Sequence, residues 1–328
     1  MWCGVRWAEG WMCPRLAIPV IDLAKRGERH LAVCVDDFGL HDGVNQAVFD
    51  LLALRRISAV SCLVDGPTWA SGAPALHQAV NPAEGTIDAP VADVGLHLNF
   101  TETLDPASQA TCPSLPLGQL IQFCYLRRFD VAQLEREIER QWDRFEAVWG
   151  RAPDFIDGHQ HAHQLPQIRE ALVRVLHRRY PASHVGPKPW VRQCRSPGWR
   201  AVLAGISVSD TVKAAIIGVL GASVVGRQVQ ALGLRPSERL LGVYPFDADA
   251  TGYMRRWQAW LRLVRPRGDL LMCHPATAMK QPPPWPDVIA ASRRMEHGVL
   301  TGEAFGQLLK TSGVRIVRLS DEGGSAHS

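Results

Sequence analysis

No Cys-x-x-Cys pair occurs in this 328-residue chain; its eight cysteines are scattered at positions 3, 13, 34, 62, 112, 124, 194 and 273. That spacing excludes a zinc ribbon and offers no disulfide framework. Cys34, Cys62 and Cys273 lie inside apolar runs, the usage of buried thiols in a reducing compartment, so a cytoplasmic location is expected. A long apolar run is missing as well. The most apolar stretch, Ala214 to Val225, is about half of the roughly 20 residues a membrane span requires, so no transmembrane helix is expected. Residues 1–29 mix Trp, Cys and Arg without an apolar segment ending in a small-residue cleavage site. They read as an N-terminal extension rather than a signal peptide. Excess charge is also lacking: Lys and Arg number 36 against 32 Asp and Glu, with no element that concentrates the difference, and nucleic acid is not an expected partner. The Arg doublets at 55–56, 127–128, 178–179, 255–256 and 293–294 read as solvated helix faces, with peripheral membrane contact or an anionic substrate as the rival.

What the chain does have is an alternation of short β-rich runs with longer helical patterns, the signature of successive βα units around a parallel sheet. Strands are expected at Leu31–Val35, Ile57–Val64, Val94–Leu98, Asp154–Asp157, Pro189–Val191, Leu240–Tyr244, Asp269–Cys273 and Val314–Leu319. The clearest helix is Val131–Trp149, capped by Asp130 and stopped by Gly150, and one long helical region is expected over Thr211–Leu232. Residues 101–129 are Pro-rich and irregular, too long for a connector, and read as a substrate-facing insertion. No repeat or Gly/Ser linker divides the chain. The expected architecture is a single α/β domain over residues 30–320, a distorted (β/α) TIM-like barrel of seven or eight strands, with residues 321–328 as a tail and a doubly wound open sheet as the rival.

Four of the apolar runs end in acid or histidine: LAVCV in Asp36-Asp37, VGL in His97, DFI in Asp157-Gly158-His159, and LLMC in His274. C-terminal strand ends converge on one face of a parallel α/β barrel, so these endings form one candidate site. Two imidazoles and a carboxylate are a ligand set typical of a catalytic divalent metal. Adjacent strand residues point to opposite faces, so a turn at Phe38-Gly39 is needed for one aspartate to ligate while the other reaches the bound water. The rival reading is that one of them caps the helix near Gly43. In Asp157-Gly-His159-Gln-His161-Ala-His163 the period of two puts three imidazoles on one side of an extended backbone. His159, nearest the strand end, is the preferred ligand, with His161 and His163 shaping the pocket or supporting the ligands.

The ordered motifs Val35-Asp-Asp-Phe-Gly39, Gly95-Leu-His-Leu-Asn99, Asp157-Gly-His-Gln-His-Ala-His163 and Met272-Cys-His-Pro275 resemble those of the YdjC-like carbohydrate deacetylases, over about His30 to Leu319. The resemblance implies a distorted (β/α) barrel, an N-acetylated sugar substrate and a divalent ion, Mg2+ or Zn2+, held by Asp37, His97 and His159. It implies Asp36 as general base and His274 as general acid. It also implies a pocket-facing Arg192 that orients substrate or Asp36, with Asn99 and Asp157 supporting the pocket. Where the family has Arg-x-Pro-Arg-Glu, this chain has Arg192-Gln-Cys-Arg195-Ser, without the acid. Metal-assisted hydrolysis of a phosphodiester or cyclic amide and a non-catalytic glycan-binding barrel are the alternative functions, and a homodimer is the expected assembly if there is one.

Overall fold

A computed structural model describes residues 28–81, 90–105, 107, 110–279 and 285–323. Most of the N-terminal extension and of the C-terminal tail lie outside the described residues. The chain runs β1 (Arg29–Phe38), α1 (Asp42–Ala53), β2 (Ala59–Cys62), α2 (Trp69–Val80), β3 (Asp93–Leu98), α3 (Leu117–Tyr125), α4 (Val131–Trp149) and β4 (Phe155–Gly158). A 3-10 segment, His159–Gln164, leads into α5 (Ile168–Arg179), β5 (Trp190–Val191), α6 (Arg200–Leu203), α7 (Val208–Val219), α8 (Ala222–Ala231), β6 (Arg239–Leu241), α9 (Ala250–Leu263), β7 (Asp269–Cys273), α10 (Ala290–Thr301), α11 (Glu303–Thr311) and β8 (Val314–Ile316).

All named strand pairs are parallel, in the order β5-β4-β3-β2-β1-β7-β6. The seven strands form a curled sheet. Its two edges meet through one bridge, Val191 with Pro236, supported by hydrogen bonds from Val191 N to Arg235 O and from Ser237 N to Val191 O, both 2.9 Å. The eighth strand is not part of this circuit. β8 pairs Arg29–Leu31 while β2 pairs Cys34–Phe38, so the two share one edge of β1 at different heights. The first strand is longer than the expected Leu31–Val35, beginning at Arg29, which is buried, and ending at Phe38.

Side-chain parity explains both faces of the sheet. In β1, Leu31, Val33 and Val35 pack outward against the helices, whereas Ala32 and Cys34 join the interior cluster with Ala59, Phe155, Trp190, Leu240, Leu270 and Met272. The period of two is the ordinary pleat. The same parity puts Asp36, His97 and Asp157, within their strands, on the inward side, together with His274, one residue past β7. Gly95 belongs to this interior set because Phe155, stacked on Trp190 at 4.2 Å, crosses directly over it. A Cβ at Gly95 would lie 2.5 Å from that ring. Gly95→Ala is therefore expected to cost ~1–3 kcal/mol, the scale of core overpacking. Thermal denaturation checks this, and an unchanged melting temperature would contradict it.

Two expectations change. The long helix over 211–232 is two helices, broken at Gly221 with φ +141, where a Cβ would strike the Gln164 carbonyl at 2.1 Å. The insertion at 101–129 is not irregular throughout: Leu120 and Cys124 anchor α3 to the core. Helix α4 keeps its expected bounds, Asp130 accepting from Ala132 N and Gly150 closing it at φ +81.

Candidate metal centre and active site

Asp37 breaks the parity that serves its neighbours. Between the pairs Val35 with Val60 and Phe38 with Cys62 the register shifts, so β1 carries one residue more than β2: a β-bulge. Asp37 sits at φ +71, a left-handed conformation that aspartate tolerates better than most residues. The bulge re-aims a side chain at a site, a common use of the device. Both aspartates thus face the cavity from within the strand, and the turn at Phe38-Gly39 is not what provides it.

Asp37, His97 and His159 each offer one donor atom, and the three lie within 4.8 Å of one another. Asp37 Oδ1 is 3.0 Å from His159 Nδ1 and 3.4 Å from His97 Nε2. His97 donates from Nδ1 to Asp157 Oδ1 at 2.6 Å, and the Ser61 hydroxyl donates to the same oxygen at 2.6 Å. That arrangement fixes the imidazole so that Nε2 points toward Asp37, the familiar carboxylate support of a ligating histidine. Burial alone would lower the His97 imidazole, but Asp157 and the hydrogen bonds to Asp157 and Asp37 raise it to about 10. Burial likewise opposes charge on His159, yet Asp37 and Glu102 raise it to about 9. Asp37 is held well below the usual carboxylate range despite its burial, chiefly by Arg293 and His159. The donor set fits a divalent ion: two imidazoles and a carboxylate turn one donor atom each toward a common point, and binding would displace any proton those donors carry.

Asp36 lies beside this cluster. Burial opposes its ionisation, but Arg192 overrides it and depresses the carboxyl. Both Arg192 terminal nitrogens donate to Asp36 at 2.6 Å, and Nη2 also meets Asp157 Oδ2 at 2.6 Å. Arg192 is fully buried; it holds Asp36 from behind and does not face the cavity. His274 Nε2 lies 3.8 Å from Asp36 Oδ2, its ring set edge-on to Phe246. Burial pushes that imidazole down to about 4, so it is neutral at pH 7. Asp36, Asp37, His97, His159 and His274 line a cavity of about 770 Å³ that also takes in Glu102, His161 and Arg293.

The sequence model of the YdjC-like protein family matches residues 30–311. The chain belongs to the YdjC-like family. Chitooligosaccharide deacetylases from Yersinia pestis and Yersinia pseudotuberculosis are each 32% identical to this YdjC-like chain over 144 residues, 43% of it and 53% of theirs. The chain thus spans about half the length of the curated relatives it matches. Among solved structures, a candidate cellobiose-phosphate cleavage protein from Enterococcus faecalis superposes with a TM-score of 0.57 at 16% identity, covering 90% of this chain and 99% of its own, which shows a shared fold.

Several residues of this YdjC-like chain stand elsewhere than the sequence implies. The histidine tract is not extended: Gln160 and His161 have φ +51 and +61, so the three imidazoles diverge. His159 turns to Asp37, and His161 to the cavity. His163, buried, donates from Nε2 to the Arg192 carbonyl at 2.9 Å. Asn99 does not reach the cavity; its amide braces the loop that carries Glu102, accepting from Thr101 N and Glu102 N at 3.1 Å. Asp157 stands behind His97 and Arg192. Three residues were missed altogether. Glu102 meets His159 Nε2 at 3.2 Å. Arg293, half of a doublet read as solvated, is buried and bonds Asp37 at 2.7 Å. Glu296, raised to about 7 by burial, accepts from the His274 amide and the Tyr244 hydroxyl at 2.6 Å each. A helical plot of residues 290–301, placing Arg293 and Glu296 one turn apart on the face with Val299 and Leu300, carries the signal that they point inward.

Proposed function

We propose that this protein is a divalent-metal-dependent hydrolase that removes the N-acetyl group from an amino sugar and releases acetate. One observation carries the reading: Asp37, His97 and His159 converge at a cavity wall where an ionised carboxylate, Asp36, and a neutral imidazole, His274, stand side by side. The matches to chitooligosaccharide deacetylases support the substrate class.

Asp37, His97 and His159 would hold the ion, and His-plus-carboxylate donors suit zinc while also admitting magnesium. When bound, the ion supplies Lewis acidity to the acetamide carbonyl and to the attacking water. Asp36 accepts the proton that water loses as it attacks. Arg192 keeps Asp36 ionised and fixed in orientation, so no reorganisation is needed at that moment. Neutral His274 cannot begin as the proton donor. It becomes one by receiving a proton from Asp36, whose Oδ2 stands 3.8 Å from its Nε2, and it then protonates the departing amine.

The purified full chain, loaded with Zn2+ or Mg2+, is expected to release acetate from N-acetylglucosamine oligomers in an enzyme-coupled acetate assay. Phosphate or a ring-opened amide from other substrates, with no acetate, would favour a different hydrolysis. Sugar binding without metal or turnover would favour a glycan-binding barrel.

A further inference from the structure

The bank of the cavity made by α7 is apolar, and the apolar surface does not stop at the rim. Trp199, Leu203, Val208, Val212, Ile216 and Val219 are each more than half exposed. On α7 they recur at positions 208, 212, 216 and 219, one helical stripe, and two of them, Val212 and Ile216, line the cavity itself. A monomer rarely exposes so continuous an apolar strip without a use for it. Charge in this stretch has one sign: from 195 to 227 the chain carries Arg195, Arg200, Lys213 and Arg227. Its single acid there, Asp210, is buried and paired with Arg256 at 2.8 Å.

We propose that the α6–α7 face docks on an anionic lipid surface and so presents the mouth of the cavity to a substrate whose amino sugar is carried on a lipid. The substrate half of this rests on the deacetylase reading; the docking half does not. Exposed aliphatic side chains, a tryptophan and flanking Arg and Lys are what an interfacial helix requires: apolar atoms enter the headgroup boundary, the indole sits at its level, and Arg and Lys meet anionic headgroups. A protein seated permanently on the same stripe would close the cavity mouth, whereas a fluid lipid surface supplies substrate through it. The helices lie on the surface and do not cross it. No single described helix is long and apolar enough to span a membrane; α7 and α8 together have the length and composition for it but are bent by 44°. α8 also buries Ala222, Val225 and Val229 in the domain.

The test is co-sedimentation of the full chain with vesicles of phosphatidylcholine alone or mixed with phosphatidylglycerol. The wild type is expected to pellet with the anionic vesicles, less with the neutral ones, and less again as salt rises. The double variant Leu203→Glu/Val219→Glu, which alters neither the cavity lining nor the core, is expected to weaken partitioning by at least about tenfold, the scale of withdrawing one buried aliphatic side chain. It should leave acetate release from a short soluble N-acetylated sugar unchanged. Wild-type protein remaining in the supernatant, or a double variant that pellets equally well, overturns the docking proposal. So does a wild-type dimer in gel filtration that the same variant dissociates, since the face would then be a contact between copies, or cross-linking that finds residues 1–27 seated on α7 in the presence of vesicles. Vesicle binding without acetate release from any soluble sugar leaves docking standing and removes the deacetylase reading instead.

Discussion

Asp37→Ala is expected to abolish metal retention and turnover together, with bound metal falling from about one ion per chain to near zero and kcat/KM dropping by at least ~10³-fold, several kcal/mol of lost electrostatic assistance. The reason is the bulge. Among the described residues, Asp37 is the carboxylate placed between His97 Nε2 and His159 Nδ1. Its removal also takes from buried Arg293 its 2.7 Å partner and leaves it only Asp287 at 3.0 Å, which costs stability, so a loss of activity alone is ambiguous. His159→Ala provides the control. His159 sits nearer solvent than Asp37, and its loss strands no buried arginine. Metal analysis by plasma emission alongside acetate release decides the matter: if either variant keeps a full complement of metal and its turnover, Asp37 and His159 are not the ligands.

The parts of this site that were legible from sequence are those that the pleat dictates. Short apolar runs such as LAVCV, VGL, DFI and LLMC, set between helical patterns and ending in Asp or His, read as strands, and parallel strands bring such ends to one side. Asp36, His97 and His274 therefore converge simply by keeping the parity of Cys34, Gly95 and Met272. Asp37 could not be placed that way. Its approach depends on one extra residue in the β1–β2 ladder, and a bulge is a property of the pair of strands, invisible in either strand alone.

The histidine tract failed for a related reason. A period of two predicts a common face only while the backbone stays extended, and the chain leaves β4 at Gly158 through two left-handed residues, Gln160 and His161. Packing imposes that path: a Cβ at position 158 would meet His163 N at 2.9 Å. Arg293 and Glu296 were hidden by charge. Their spacing with Val299 and Leu300 puts them on the inward face of α10, but in a helix so polar that weak signal gains weight only once their partners, Asp37 and the His274 amide, are known, and those partners lie far away in sequence. The break in the helix after α7 was likewise unreadable, because Gly218, Gly221 and Gly226 offer three equivalent places for it and only the contact with Gln164 selects one.

Asp36→Asn separates chemistry from metal binding. The amide keeps the shape of the carboxylate but has almost no basicity, so kcat is expected to fall by ~10²–10⁴-fold, the range for removing a general base, with metal content unchanged. Stability should fall as well, because Arg192 donates to both Asp36 oxygens and an amide can accept at only one of them. Arg192 still has Asp157 at 2.6 Å, which is why the variant should fold. The comparison with Asp37→Ala is what gives the experiment its force. Two neighbouring carboxylates of the same strand, both buried and both ionised, should divide cleanly, one variant losing metal and the other retaining metal without turnover. Should Asp36→Asn keep its rate, the water's proton leaves by another route. Neutral His274, 3.8 Å away, is then the group placed to take it directly, and His274→Ala, rather than Asp36→Asn, would become the variant that stops the reaction.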